Sequence, residues 1–258
     1  MKILAITNGK GGSAKTSTAV SLAACLVEKK KKVLLIDLDP QLSATLWLRL
    51  PTDHKGLYET FVDNRSISDI IFKTSIEGLD AIPGSPWLIS ADKALAGELG
   101  AETILRTKLS ELEKKWDYVL LDTAPSTGIL SLNALCASDG VLIPVEARIM
   151  AIQGLASILR TIKTVQERLN PNLKIEGILP CRVDKRTRLS KEIIHDLRSR
   201  FNGTIFKSEI RENVRLSEAP SFGVPITLYD SKSHGAEDYR ALAKELIAKE
   251  KAQNEIKA

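Results

Sequence analysis

Cysteine is scarce: Cys25, Cys136 and Cys181 stand far apart and are odd in number among 258 residues. No pair has CxxC spacing, so neither a zinc site nor a disulfide framework is expected. Each reads as a small core hydrophobe in a reducing compartment. A chain of this length buries enough surface to fold without such staples. Long apolar runs are also missing, since no stretch approaches the roughly 18 residues of a spanning helix. The opening MKILAITNGKGG passes from a short apolar run straight into glycines, without the core or cleavage site of a signal peptide. A cytosolic protein is the expectation. Repeats, low-complexity tracts and Pro/Gly-rich linkers are absent as well, which favours one domain over two. Nor does either charge dominate. Thirty-seven Lys and Arg against 32 Asp and Glu leave +5, compatible with a polyanionic partner and equally with an idle basic surface.

What is present is alternation. Apolar, β-rich runs at 2–7, 33–36, 79–82, 118–121, 141–145, 175–179 and 204–206 are separated by helical patterns. Helix 15–29 is the first. Ile152, Leu155, Leu159, Ile162 and Val165 fall on one face of a later one. This pitch predicts an α/β, single-domain fold with a mainly parallel twisted sheet covered by helices on both faces. The last helix carries Tyr239, Leu242, Leu246 and Ile247 and is expected to fade into charge, giving a domain over 1–250 and a tail over 251–258. Ligands of such sheets gather at the carboxyl ends of the strands.

Gly9-Lys10-Gly11-Gly12-Ser13-Ala14-Lys15-Thr16 lies between the first strand and the first helix. A Gly-rich stretch can be merely a turn. With a strand before it, a helix after it and a Lys-Thr pair in register, it reads as a phosphate cradle. Its backbone N–H groups face the phosphates, Lys15 reaches the β- and γ-groups and the Thr16 hydroxyl binds Mg²⁺. Ala14 is harmless at negative φ and costs about 1 kcal/mol or more at positive φ. Downstream, Asp37 and Asp39 alternate onto one side at the end of an apolar strand. They are either the start of a turn or a carboxylate pair that a cation or a water-mediated network must compensate. Asp122 ends another apolar run, as a turn cap or as a carboxylate holding Mg²⁺ through water.

Together these residues resemble the ParA/MinD superfamily of P-loop ATPases. The loop resembles its deviant Walker A motif, KGGxGK[ST], with Ala14 in place of a glycine. Asp37-Leu38-Asp39-Pro40-Gln41 resembles switch I, and Asp122-Thr123-Ala124-Pro125-Ser126 resembles D-[CT]-P-P-S with Ala124 for the first proline. Arg148-Ile149 departs from the acidic-aromatic pair usual after the strand ending VLIPVE. The block from Asn213 to Ile226, NVRLSEAPSFGVPI, resembles chromosomal, Soj-type ParA proteins, although Arg211-Glu212 replaces the usual P-R before Asn213.

The resemblance implies an ATP- and Mg²⁺-dependent ATPase. Lys10, Gly11, Gly12, Ser13, Ala14, Lys15, Thr16 and Ser17 would hold the nucleotide phosphates and Asn213 the base. Lys10 would reach the ATP of a second subunit, making a homodimer around two nucleotides. Asp39 would orient the attacking water, with Lys15 and Lys10 as the other catalytic groups. Thr16, Asp37 and Asp122 would serve the metal. Arg186 and Arg215 would bind double-stranded DNA without sequence preference. Taken without the resemblance, both arginines read as solvated surface residues. No interleaved aromatics favour single strands. A ParB-like centromere-binding protein would stimulate hydrolysis and release, in a cytoplasmic, nucleoid-associated cycle. The lysines at 29–32 are either part of the DNA patch or a helix C-terminus.

Competing readings are weaker. A MinD-like membrane binder needs an amphipathic C-terminal helix with bulky insertable residues, yet the end of the chain offers Ile256 alone. Iron–sulfur relatives need paired interface cysteines or CxxC, and tyrosine-kinase relatives need a C-terminal tyrosine cluster. A non-hydrolysing, ATP-sensing DNA binder is the alternative that the Ala14 substitution raises. The presence of Asp39, which binding alone does not require, argues against it.

Overall fold

Apolar runs buried on both faces become the central strands of the computed structural model. It describes residues 1–113, 115–148, 151–201 and 203–257, without the side chains of 92, 151–153, 254, 256 and 257. The strands are β1 (Lys2–Ile6), β2 (Val33–Leu38), β3 (Phe72–Lys73), β4 (Leu79–Ile82), β5 (Tyr118–Thr123), β6 (Gly140–Glu146) and β7 (Lys174–Cys181). They form one sheet in the order β3-β4-β2-β5-β1-β6-β7. All neighbours are parallel except β3, which pairs antiparallel with β4.

The helices are α1 (Lys15–Glu28), α2 (Ser43–Trp47), α3 (Leu57–Val62), α4 (Ala91–Ala94), α5 (Ile104–Ser110), α6 (Ile129–Ala137), α7 (Ala151–Arg168), α8 (Arg188–Arg200), α9 (Val214–Phe222), α10 (Ile226–Tyr229) and α11 (His234–Lys257). They cover both faces, as expected. On one, Leu22 and Leu26 of α1 pack with Tyr239, Leu242 and Leu246 of α11. On the other, Leu109 of α5, Ala134 of α6, Leu155 and Ile162 of α7 and Leu197 of α8 share a core. Cys25, Cys136 and Cys181 are free and buried. Burial pushes the thiols of Cys25 and Cys181 up to about 12, which makes them inert. Among the described residues no helix is long and apolar enough to cross a membrane.

Two expectations meet a different outcome. Residues 204–206 do not form a strand of the sheet. They touch the outer edge of β7 through one bridge, Ile178 to Ile205. The ladder stops because the next two backbone N–H groups, of Lys207 and Ser208, donate to the Glu245 carboxylate of α11, each at 2.8 Å. Residues 251–257, in turn, continue as helix, and α11 crosses position 250 without a break. Beside that position Lys249 donates to the Glu176 carbonyl at 3.1 Å. The Tyr118 hydroxyl donates to Glu250. The side chain of Ile256 lies outside the described residues.

Candidate nucleotide-binding site

The loop between β1 and α1 is fixed at its start by Asn8. Its Oδ1 accepts from the Lys10 N–H at 3.0 Å, and its Nδ2 donates to the Pro144 carbonyl of β6 at 2.7 Å. A Cβ added to Gly9, Gly11 or Gly12 would meet nothing within 4 Å, so this stretch presents bare backbone to open space. The Lys15 ammonium curls back to the Lys10 carbonyl at 2.9 Å, and the Ser13 hydroxyl donates to the same oxygen at 3.1 Å. Burial lowers the pKa of Lys15, opposed by the negative charges of Asp122 and Asp39. The Lys10 stem runs along the start of α7, where a Cβ on Gly154 would stand 3.4 Å from Lys10 Cδ.

Ala14 answers the question the sequence posed. Its φ is +69° and ψ +27°, the left-handed region, and its carbonyl accepts the Thr18 N–H at 2.9 Å as α1 begins. The position is one that favours glycine, and the methyl group there is strained.

Parallel pairing of β2 with β5 puts Asp37 in register with Asp122. Their surroundings differ. Asp37 accepts from the Thr45 N–H at 2.9 Å, the Thr45 hydroxyl at 2.7 Å and the Asp39 N–H at 3.0 Å. Burial nevertheless pushes its carboxyl up to about 6. Both Asp122 oxygens are buried without a hydrogen-bond partner among the described residues. Burial first, then the Asp37 charge, raises this carboxyl well above the ordinary range, against the nearby Thr16 hydroxyl and Lys15 charge, which lower it; the Thr16 contact is too loose to count as a hydrogen bond of ordinary geometry. Asp39 is buried too and accepts the Gln41 N–H at 2.9 Å.

A buried carboxylate without partners is costly unless a cation meets it. Asp122 therefore fits a Mg²⁺ ion, with Thr16 on the opposing first turn of α1 as the hydroxyl donor. Asp37 is already occupied by Thr45 and Asp39, which suits support of the site more than direct ligation.

Beside the loop lies a cavity of 320 Å³ lined by Ala14, Ser17, Cys181, Arg182, Asn213 and Leu216 among others. Its volume suits a purine base. The Asn213 Oδ1 caps α9 by accepting from the Arg215 N–H at 2.8 Å. Arg211, on the same wall, is latched to α11. Its guanidinium reaches Asp238 at 2.6 Å and Glu237 at 3.1 Å, and its N–H donates to Asp238 at 2.9 Å.

Arg186 and Arg215 lie outside this cavity, on segments that adjoin each other. Val183 bridges Arg211, its N–H donating to the Ile210 carbonyl at 3.0 Å and its carbonyl accepting the Glu212 N–H at 3.1 Å. The Arg186 side chain is 88% exposed and pairs with Asp184 at 2.9 Å. Arg215 is 54% exposed and pairs with Glu218 at 2.9 Å and Asp230 at 3.6 Å. Such exposed pairs hold their partners only weakly, because solvent screens them. The lysines at 29–32 follow α1 and precede β2, at the opposite pole of the sheet, and Lys30 has φ of +62°. Arg148 pairs with Glu146 at 3.1 Å, whereas Ile149 lies outside the described residues.

The sequence reading missed three supports. Thr45 holds Asp37, and its hydroxyl also accepts the Gly84 N–H at 2.8 Å. Gly84 approaches so closely that a Cβ would stand 3.2 Å from the Asp37 carboxyl carbon. Asn8 braces the loop against β6. The available signals were a threonine in the helical run after switch I, a Pro-Gly-Ser-Pro turn closing β4, and an Asn at a strand end.

A family model described as an AAA domain matches residues 1–175. The sporulation initiation inhibitor protein Soj of Bacillus subtilis (strain 168) is 44% identical over 249 residues, covering 96% of this chain and 98% of that protein. The chromosome partitioning protein ParA of Myxococcus xanthus (strain DK1622) is 40% identical over 251 residues, covering 96% of this chain and 89% of that one. Among solved structures, cobyrinic acid a,c-diamide synthase from Mycobacterium smegmatis, with bound ATP analog and magnesium, superposes with a TM-score of 0.86. It is 32% identical, and the match covers 98% of this chain and 97% of that one.

Proposed function

This chain belongs to the Soj/ParA family of P-loop ATPases, and on that premise we propose that it is an ATP-dependent DNA-partitioning switch. The observation that carries the reading is the fully buried Asp122 carboxyl, with Thr16, Lys15 and Asp39 beside it. A protein keeps such a carboxylate where a cation is to be held.

In this reading the backbone of 9–15 and the α1 N-terminus bind the phosphates of ATP. Lys15 leaves the Lys10 carbonyl for the β- and γ-phosphates. Thr16 and Asp122 would hold Mg²⁺, and Asp37, fixed by Thr45, would support them. The ion, when bound, supplies charge neutralisation to the transferred phosphoryl group. Asp39 orients the attacking water, and Asn213 flanks the base. Lys10 swings off α7 to the nucleotide of a second copy, so that two chains close face to face. The paired form binds duplex DNA through Arg186 and Arg215 from each protomer. A ParB-like partner stimulates hydrolysis and release, in a cytoplasmic cycle on the nucleoid.

The test is DNA affinity against salt with ATP saturating, for wild type, Arg186→Glu and Arg215→Glu. Each substitution is expected to weaken binding to all duplexes alike. Losing two phosphate contacts per dimer reduces the salt slope by nearly two, at about 0.9 per contact. Binding that ignores ATP, or persists unchanged in both variants, refutes the reading.

A further inference from the structure

One of the chain's basic stretches lies next to Arg186. Residues 182–200 hold seven Lys and Arg against three Asp and Glu, a net +4 in a chain whose total is +5. The segment runs from the loop after β7 through α8, so the excess extends well beyond Arg186. Within it lies a second cavity of 320 Å³, distinct from the base pocket. Its floor is apolar, from Val183 and Ile194, and Lys185, Lys191 and Arg198 stand around it with one acid, Glu209. Lys191, Ile194 and Arg198 recur at helical spacing on one face of α8.

The partners of these cations are uneven. Glu209 takes Arg198 at 2.9 Å and Lys185 at 3.6 Å. Arg188 takes Glu192 at 2.7 Å. Lys191 is exposed and has no ion-pair partner among the described residues. One carboxylate thus restrains two cations, while a third faces the solvent unopposed.

We propose that the DNA-binding surface continues from the Arg186 loop onto this face of α8, with a backbone phosphate of the duplex seated between Lys191, Lys185 and Arg198. The inference rests on the proposed DNA-binding function and assigns phosphate ligands beyond Arg186 and Arg215. Duplex DNA is the occupant because the cations follow one helix face and lack stacking aromatics, which suits a regular row of phosphates. Glu209 acts as a brake, since the phosphate competes with it for Lys185 and Arg198.

The experiment uses the full chain with saturating ATP and a mixed-sequence duplex, titrated with salt. Lys191→Ala is expected to lower the salt slope by about 0.9 per protomer, nearly two per dimer, while the ATP-induced shift in melting temperature stays at the wild-type value. Glu209→Gln is expected to tighten binding, an outcome that damage to the fold does not produce. If Arg186→Glu weakens binding but Lys191→Ala and Glu209→Gln both match wild type, the α8 surface is overturned and the DNA-binding function stands. If the wild type itself binds no duplex with ATP, both fall. If the two α8 variants alter only the response to an activating protein, the face belongs to that protein and the proposal is wrong.

Discussion

Ala14→Gly isolates a single backbone torsion in the phosphate loop. Ala14 sits at φ +69° and ψ +27°, where an L-residue pays about 1–2 kcal/mol through its Cβ. Glycine removes that penalty. Against it stands the lost methyl, worth about 0.8 kcal/mol if fully buried, but Ala14 is only partly buried against the α1 side of the core. Roughly half of that value applies, so the variant gains about 1 kcal/mol. For a chain of this size the gain corresponds to a rise of about 2–4 °C in melting temperature. Calorimetry without nucleotide measures it directly. The substitution leaves every charged group in place, so ATP affinity is expected to move less than dimerisation or turnover, read by chromatography and phosphate release. An unchanged or lower melting temperature refutes the strain argument, and unchanged dimerisation and turnover make Ala14 a tolerated variant.

Two further outcomes are expected. Lys15→Ala abolishes ATP binding, whereas Lys10→Ala retains it and loses the ATP-dependent dimer; size-exclusion chromatography with ATP separates them, and an intact Lys10→Ala dimer removes the face-to-face arrangement. Asp122→Asn changes the pH dependence of the ligand-free fold. Because Asp122 and Asp37 bind protons more tightly folded than unfolded, stability falls as pH rises above about 4 toward the folded values, through about 6 for Asp37. The variant removes one of the two carboxyls and weakens the other's repulsion, so it melts above wild type at pH 8 without ligand and gains little from Mg²⁺ and ATP. A wild-type response to Mg²⁺ in this variant excludes Asp122 as a metal group.

Much of the site was legible because its residues are neighbours in sequence. The phosphate loop, the Asp37–Asp39 pair and Asp122 all stand at ends of apolar runs, and the periodicity that marks the strand also marks its carboxyl end. What escaped depends on partners distant in the chain. Nothing local to Thr45 says that it holds Asp37 at one end and Gly84 at the other, and nothing local to Asn8 points to Pro144. The Thr204-Ile205-Phe206 run has strand composition, but Glu245, far along the chain, captures the next amides and ends the pairing. The short β3 was hidden for a related reason, because two residues carry no periodicity. The final helix was masked by its charge, which suggested a tail until Lys249 and Glu250 found partners on the sheet. The resemblance to the family motif marked Ala14 as the unusual residue of the loop, while the sign of its φ required the backbone.

The borders of the sheet carry a last consequence. In the cycle proposed above two copies pair reversibly, and such pairing carries the risk of going wrong, strand to strand. One border here is β3, two residues long, with Lys73 84% exposed and tied to Asp80. The other, β7, is shielded by the contact at Ile205, after which Glu245 consumes the amides that a foreign strand would seek. Neither margin offers a long flat template. The sheet margins thus leave the proposed ATP-dependent pairing to the nucleotide face and disfavour irreversible stacking of sheets.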